Sequence, residues 1–257
     1  MSDREAVDDD GEQFESIRVT RRPDRVRVRL HRPAKRNAID QQMVDELHAV
    51  CSELERDPRI LIIAGGDGVF ASGADIAELR ERTSVDALRG INARLFIRIA
   101  HLPMPVIAAI DGYALGGGAE LAYAADFRIG TTRTRIGNPE TGLGIIAAAG
   151  ALWRLRELVG EPLAKEIALA GRVLEAEEAL AAHLITQLCE PEELDEAADA
   201  LADRIAALDP EATRFTKSVM AAPPDDHPRV DLDAQAVLFD SEAKVRRMAD
   251  FLERRRR

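Results

Sequence analysis

Charged and apolar residues alternate along Arg25-Val-Arg-Val-Arg-Leu30, the two-residue period of a strand with one face turned to a core. The period then changes. After Asp40, which suits a helix N-cap, Met43, Val44, Leu47, Val50, Cys51 and Leu54 recur at helical spacing until Asp57-Pro58 ends the run. Leu61-Ile-Ile-Ala64 is short and continuously apolar, as a buried strand is, and Gly65-Gly-Asp-Gly68 turns the chain after it. The spacing predicts a helix over residues 88–100, broken by Pro103 and Pro105, and a second buried strand from Val106 to Ile110. Phe127-Arg-Ile129 and Thr134-Arg-Ile136 read as two further short strands. From Ala148 the pattern is helical nearly to the end, with loop signals at Glu190-Pro191, Asp209-Pro210 and Pro223-Pro224. Short buried strands alternating with helices make the first part α/β, followed by a helical C-terminal portion.

Composition narrows the function. The chain has 257 residues, 46% of them hydrophobic and 32% charged, which is enough for a packed core and typical of a soluble protein. Aromatics are only 4%, with a single Trp153, and the net charge is −11. Both argue against a nucleic-acid partner, which needs stacking surfaces and positive charge. Residues 1–13 hold six acids against Arg4 and read as a disordered acidic tail; Arg254-Arg-Arg-Arg257 closes the chain with the opposite charge, as a frayed helix end or a local anion site. Cys51 and Cys189 each sit in an apolar pattern, as two buried free thiols of a reducing compartment would. The acidic N-terminus resembles no signal or transit peptide, and no apolar run approaches the roughly 18 residues of a membrane span. The expectation is a soluble cytoplasmic protein without a membrane partner.

Several motifs fail on context. Gly142-Leu-Gly-Ile-Ile-Ala147 has the letters of a dinucleotide loop but follows Asn138-Pro-Glu-Thr141 where a strand is required. The five histidines (His31, His48, His101, His183, His227) lack metal-ligand spacing, so no metal site is expected. Ser72-Gly73 lacks the preceding glycine of a nucleophile elbow, and Ser241-Glu-Ala-Lys244 reads as a mid-helix surface face.

Two segments remain. Phe70-Ala-Ser-Gly-Ala-Asp-Ile76 puts small residues after a strand and its turn; Asp111-Gly-Tyr-Ala-Leu-Gly-Gly-Gly-Ala-Glu-Leu121 puts three glycines between a buried strand and a helix. Glycine there lets a ligand approach the backbone, and a helix start offers free N–H groups. Glu120 lies in the first turn of that helix, either facing the ligand or merely favoured by the positive helix end.

Arg32-Pro-Ala-Lys-Arg-Asn-Ala38, the stretches 70–76 and 112–120, and Pro139-Glu140 occur in this order, and the chain thereby resembles the enoyl-CoA hydratase/isomerase (crotonase) family over residues 14–256. The resemblance implies a crotonase-like spiral of repeated ββα units over residues 14–200. A C-terminal helical region, residues 201–257, would build homotrimers, often stacked as hexamers. The implied reaction is syn addition of water to a 2-enoyl-CoA thioester, giving 3-hydroxyacyl-CoA, as in fatty-acid β-oxidation. The amides of Ala74 and Gly117 would hold the thioester oxygen. Glu120 would activate water and Glu140 would deliver a proton to the α-carbon. Ala34, Arg36, Ala38, Ala74, Asp75, Ile76, Gly116, Gly117, Phe251 and Arg254 would bind the acyl-CoA, with Phe251 and Arg254 reaching a neighbouring subunit's CoA. No cofactor is needed, since coenzyme A belongs to the substrate. Elementary chemistry favours the same set, because an enolate needs preorganised donors and two carboxyls can divide acid and base roles. The alternatives are a 3,2-enoyl-CoA isomerase, which can work with one carboxylate, and a non-catalytic scaffold on the same fold. Where the family has a glycine-rich stretch after the second glutamate, this chain has Ala147-Ala-Ala-Gly-Ala151 followed by Leu152 and Trp153; altered substrate shape and better helix composition both account for it.

Overall fold

The structure, a computed structural model, describes residues 14–255, so the acidic stretch 1–13 and Arg256-Arg257 lie outside the described residues. Two compact units part between Ala202 and Asp203.

The first unit begins with β1 (Ile17–Arg21) and β2 (Arg25–Leu30), an antiparallel pair, and α1 (Gln41–Arg56). The alternation in β2 has a specific outcome. Val26, Val28 and Leu30 enter the core, while Arg27 and Arg29 reach Asp195 at 2.8 Å and Arg25 reaches Asp199 at 3.0 Å. The arginine face is therefore covered by acids of a later helix. Asp40 caps α1, accepting from the Met43 amide at 2.9 Å, and the helical run from Met43 to Leu54 is buried.

Next come β3 (Ile60–Ala64), β4 (Val69–Ala71), α2 (Ile76–Glu81), α3 (Ser84–Arg89), α4 (Ile91–Ala100), β5 (Val106–Ile110), β6 (Tyr113–Leu115), α5 (Gly117–Tyr123), β7 (Phe127–Thr131), β8 (Arg135–Gly137), α6 (Ala151–Ala170), β9 (Val173–Glu175), α7 (Ala176–Ala181), β10 (Gln187–Cys189) and α8 (Leu194–Ala206). The strands form a six-stranded sheet, β1-β2-β3-β5-β7-β10, and a four-stranded sheet, β4-β6-β8-β9. Each pair β3/β4, β5/β6 and β7/β8 puts its first strand in the large sheet and its second in the small one, then leaves through helix. This is the repeated ββα spiral. Strands β3 and β5 are buried at every position because each lies between two parallel neighbours. Cys51 is a free thiol buried in α1, pushed up to about 12 by burial; Cys189 is free and half-buried in β10.

Three expectations need correction. The helix over 88–100 is two helices, because Gly90 takes a left-handed φ of 60° and closes α3 before α4 begins; Leu88 is solvent-facing. The C-terminal portion is not helical throughout: β9 and β10 fall within it, three residues each, and α6 breaks at Gly160, whose φ and ψ are 76° and 162°. Ser241 is not mid-helix but caps a helix start, its hydroxyl accepting from the Lys244 amide at 3.2 Å.

The second unit carries α9 (Pro210–Met220), α10 (Arg229–Phe239) and α11 (Glu242–Arg254). Among the described residues, no helix is long and apolar enough to cross a membrane, and no group of three His, Cys, Asp or Glu side chains could hold a metal.

Candidate active site

The loop after β4 is pinned on both sides of Ala74. The Ile39 amide donates to the Gly73 carbonyl at 2.8 Å, and the Asp75 amide donates to the Ile39 carbonyl at 2.9 Å. Gly73 sits at φ 118°, and the Asp75 carboxylate is occupied by the Ala77 amide at 3.0 Å and by Arg32 at 3.2 Å. The Ala74 N–H, between these anchored peptides, meets no acceptor among the described residues.

The glycine run faces this loop, and its three members serve different ends. Gly116, at φ 52° and ψ −124°, opens α5; a Cβ on it would stand 3.2 Å from Glu140 Oε1. Gly117 is the first helical residue, so its N–H has no intrahelical partner, and a Cβ on it would stand 3.4 Å from the Ala74 nitrogen. Gly118 packs α5 onto β4: a Cβ there would be 2.3 Å from the Ala71 carbonyl oxygen. Two free amides, Ala74 and Gly117, thus border one point at the mouth of α5.

Both glutamates open on the same space. Glu120 Oε1 accepts from the Ala149 amide at 2.7 Å and from the Ala151 amide at 3.1 Å, just before and at the start of α6. Glu140 follows Pro139 in a short 3-10 turn; its Oε1 accepts from Asn138 Nδ2 at 3.2 Å, and its Oε2 is buried without a partner among the described residues. Burial pushes the Glu120 carboxyl up to about 7; the Glu140 charge adds to this, and the Ala151 and Ala149 amides and the Arg154 guanidinium oppose it. Burial also raises Glu140, against the pull of its hydrogen bonds. The pair is arranged so that one carboxyl is held as an acceptor while the other keeps an oxygen free to carry a proton.

A cavity of about 630 Å³ joins these groups, and Ala74, Ile76, Gly116, Gly117, Glu120 and Glu140 all line it. Leu143, Ile145 and Ile146, from the string that imitates a dinucleotide loop, form an apolar wall. Ala34, Arg36, Ala38 and Asp75 are not on the lining. Ala34, Arg36 and Ala38 belong to the adjoining loop, tied to the Ala74 loop by the Ser72 amide donating to the Arg36 carbonyl at 3.1 Å, with the Arg36 guanidinium 5.1 Å from the Tyr113 ring centre, and Asp75 follows Ala74 as the N-cap of α2. Phe251 and Arg254 lie on α11 of the second unit, and Phe251 is solvent-facing.

The sequence reading passed over Asn138, Asn92 and Arg154. Asn138 tethers Glu140 and reaches the Gly116 carbonyl at 3.4 Å; its place beside Pro139-Glu140 was a usable signal. Asn92, inside α4, lines the cavity with Nδ2 3.5 Å from where a Gly117 Cβ would stand. Nothing local marks it.

The enoyl-CoA hydratase/isomerase family model matches residues 25–257. A short-chain-enoyl-CoA hydratase of Clostridium acetobutylicum is 35% identical over 221 residues, covering 84% of this chain and 83% of that protein. A crotonyl-CoA hydratase of Syntrophomonas wolfei is 34% identical over 236 residues, covering 88% and 91%. The crystal structure of an enoyl-CoA hydratase from Bacillus anthracis superimposes with a TM-score of 0.89 at 29% identity, covering 93% of this chain and 97% of that one.

Proposed function

The chain belongs to the enoyl-CoA hydratase/isomerase family, and we propose that it is an enoyl-CoA hydratase, adding water syn across the double bond of a 2-enoyl-CoA thioester to give the 3-hydroxyacyl-CoA. One observation carries the two-carboxylate mechanism: Glu120 and Glu140 line the same cavity as the amides of Ala74 and Gly117. Attack of water on the β-carbon pushes charge onto the thioester oxygen. Two backbone N–H groups without protein acceptors stabilise that enolate without reorganising, each contributing on the order of 3–4 kcal/mol to the transition state.

The hydrogen bonds support a division of acid and base roles. Two amides hold Glu120 as an acceptor, which suits the carboxylate that takes a proton from water. Glu140, with Oε2 unpartnered, suits the acid that protonates the α-carbon. Two like charges confined in one buried site favour a single shared proton, so that one acid and one base coexist near neutral pH. The reaction needs no cofactor beyond the coenzyme A of its substrate. The site serves a cytoplasmic homo-oligomer, trimer or hexamer, in which Phe251 and Arg254 contact CoA. Arg36, at the neck of the loop carrying Ala74, offers a fork for a CoA phosphate.

The experiment is to follow a panel of 2-enoyl- and 3-enoyl-CoA thioesters with the wild type and with Glu120→Gln and Glu140→Gln. Each variant should lose about 10²–10⁴ in hydration rate, and the double variant far less than the product. Full hydration by Glu120→Gln would sink the two-carboxylate mechanism. Loss of the 3-enoyl shift in Glu140→Gln, with Glu120→Gln unaffected, would mark an isomerase instead.

A further inference from the structure

The turn that grips Glu120 is itself supported by a cation that the mechanism above does not use. Gly150 lies between the two donor residues, Ala149 and Ala151, at φ 136°, a conformation that side chains rarely adopt. The space a Cβ would take is filled: Arg154 Nη1 is 2.4 Å from that point. The Arg154 amide donates to the Gly150 carbonyl at 3.0 Å, and its guanidinium lies 5.4 Å from the centre of the Trp153 ring. Yet Nη1 is buried with no hydrogen-bond acceptor among the described residues. Arg154 as a whole is half-buried, but this one nitrogen is desolvated without a partner, which is costly unless the charge it carries is used.

The charges around Glu120 are few and each has a direction. The Glu140 charge disfavours that of Glu120, Tyr123 on α5 is neutral and buried beside them, and Arg128 acts on Tyr123. Arg154 is the cation whose charge favours the Glu120 carboxylate, while Glu157, one turn further along α6, offsets part of its charge.

From this geometry we infer that Arg154 is a positioning residue of the site: seated against Gly150, its guanidinium holds the Ala149–Ala151 turn and keeps Glu120 in the ionised form that both amides grip. The inference rests on the reading of Glu120 as the base. It gives Gly150 a role as well, since any side chain there would displace the guanidinium.

The test measures Glu120 directly and through turnover. Infrared difference titration against Glu120→Gln gives the Glu120 midpoint in the ligand-free protein; hydration of a 2-enoyl-CoA from pH 6 to 9 gives the rate profile. Arg154→Gln should raise the midpoint by about one unit, through loss of a nearby positive charge together with a looser grip by the Ala149 and Ala151 amides, and Arg154→Lys should retain most of the wild-type value. At pH 6 the Gln variant should hydrate about tenfold more slowly, and it should recover by pH 9, a recovery that mere loosening of α6 would not produce. Arg154→Met, which packs the same stem, carries the same expectation should the Gln chain not fold. An unmoved midpoint in the neutral variants overturns the inference, as does a rate loss that persists at pH 9. A moved midpoint in a protein that hydrates no 2-enoyl-CoA overturns the hydratase reading while keeping the coupling.

Discussion

Replacing Glu120 with glutamine should stabilise the protein while disabling it, and the gain should depend on pH in a calculable way. Burial raises this carboxyl from 4.5 to about 7, so between these values the folded chain binds a proton that the unfolded chain has released. Stability attributable to Glu120 is therefore lost as pH rises through that window. Ionising it in place costs the folded state about 1 kcal/mol at pH 5.5 and levels near about 3 kcal/mol above pH 7. Glutamine is never charged, and its carbonyl can still accept from Ala149 and Ala151, so it escapes this cost without forfeiting the hydrogen bonds. Denaturant unfolding of the wild type and Glu120→Gln at intervals from pH 5.5 to 9 should show curves that diverge by about 2 kcal/mol across the range, with the variant the more stable. Parallel curves, or a variant less stable at pH 8 than the wild type, would refute the claim that Glu120 is desolvated and strained by ionisation.

Two further outcomes test separate parts of the site. Gly117→Pro should fold, because the first position of a helix tolerates proline, yet lose about 10²–10³ in turnover with the N–H gone; a folded variant with near-normal turnover removes Gly117 from the site. Deleting residues 248–257 should weaken CoA binding by calorimetry and loosen the proposed oligomer by sedimentation, and unchanged CoA binding would exclude Phe251 and Arg254 from the contact.

How far the fold could be read in advance followed the length and pairing of each element. Alternation in β2, the capped amphipathic α1 and the continuous apolar runs of β3 and β5 were legible because burial of five or more residues leaves a period in the sequence. Strands β4, β6, β9 and β10 span three residues each and exist only because a parallel or antiparallel neighbour lies alongside. No local period can announce them. Gly90 illustrates the converse: apolar spacing continued across it, but one left-handed residue was enough to separate α3 from α4. In the site, Glu120 was legible from the glycines before it, and its partnership with Glu140 came through family resemblance. The amides that hold Glu120, and the guanidinium beneath them, come from the backbone and a rotamer of residues 149–154, which leave no mark in side-chain chemistry.

The alanine stretch that departs from the family's glycines can now be divided. Ala147 and Ala151 are buried in the core, so their methyl groups pack against protein. Ala148 is exposed on the cavity lining, so its methyl reduces the room for an acyl group, while Ala149 touches the lining from a buried position. The grip on Glu120 is unaffected by either substitution, since it is made by the peptide N–H of Ala149 and Ala151 and not by any side chain. Gly150 is the one position where an added methyl would collide with a guanidinium, and it is the one that remains glycine. The stretch therefore separates two properties that occupy the same five residues: the backbone fixes the proton chemistry, and the methyl group at 148 is free to shape the acyl wall.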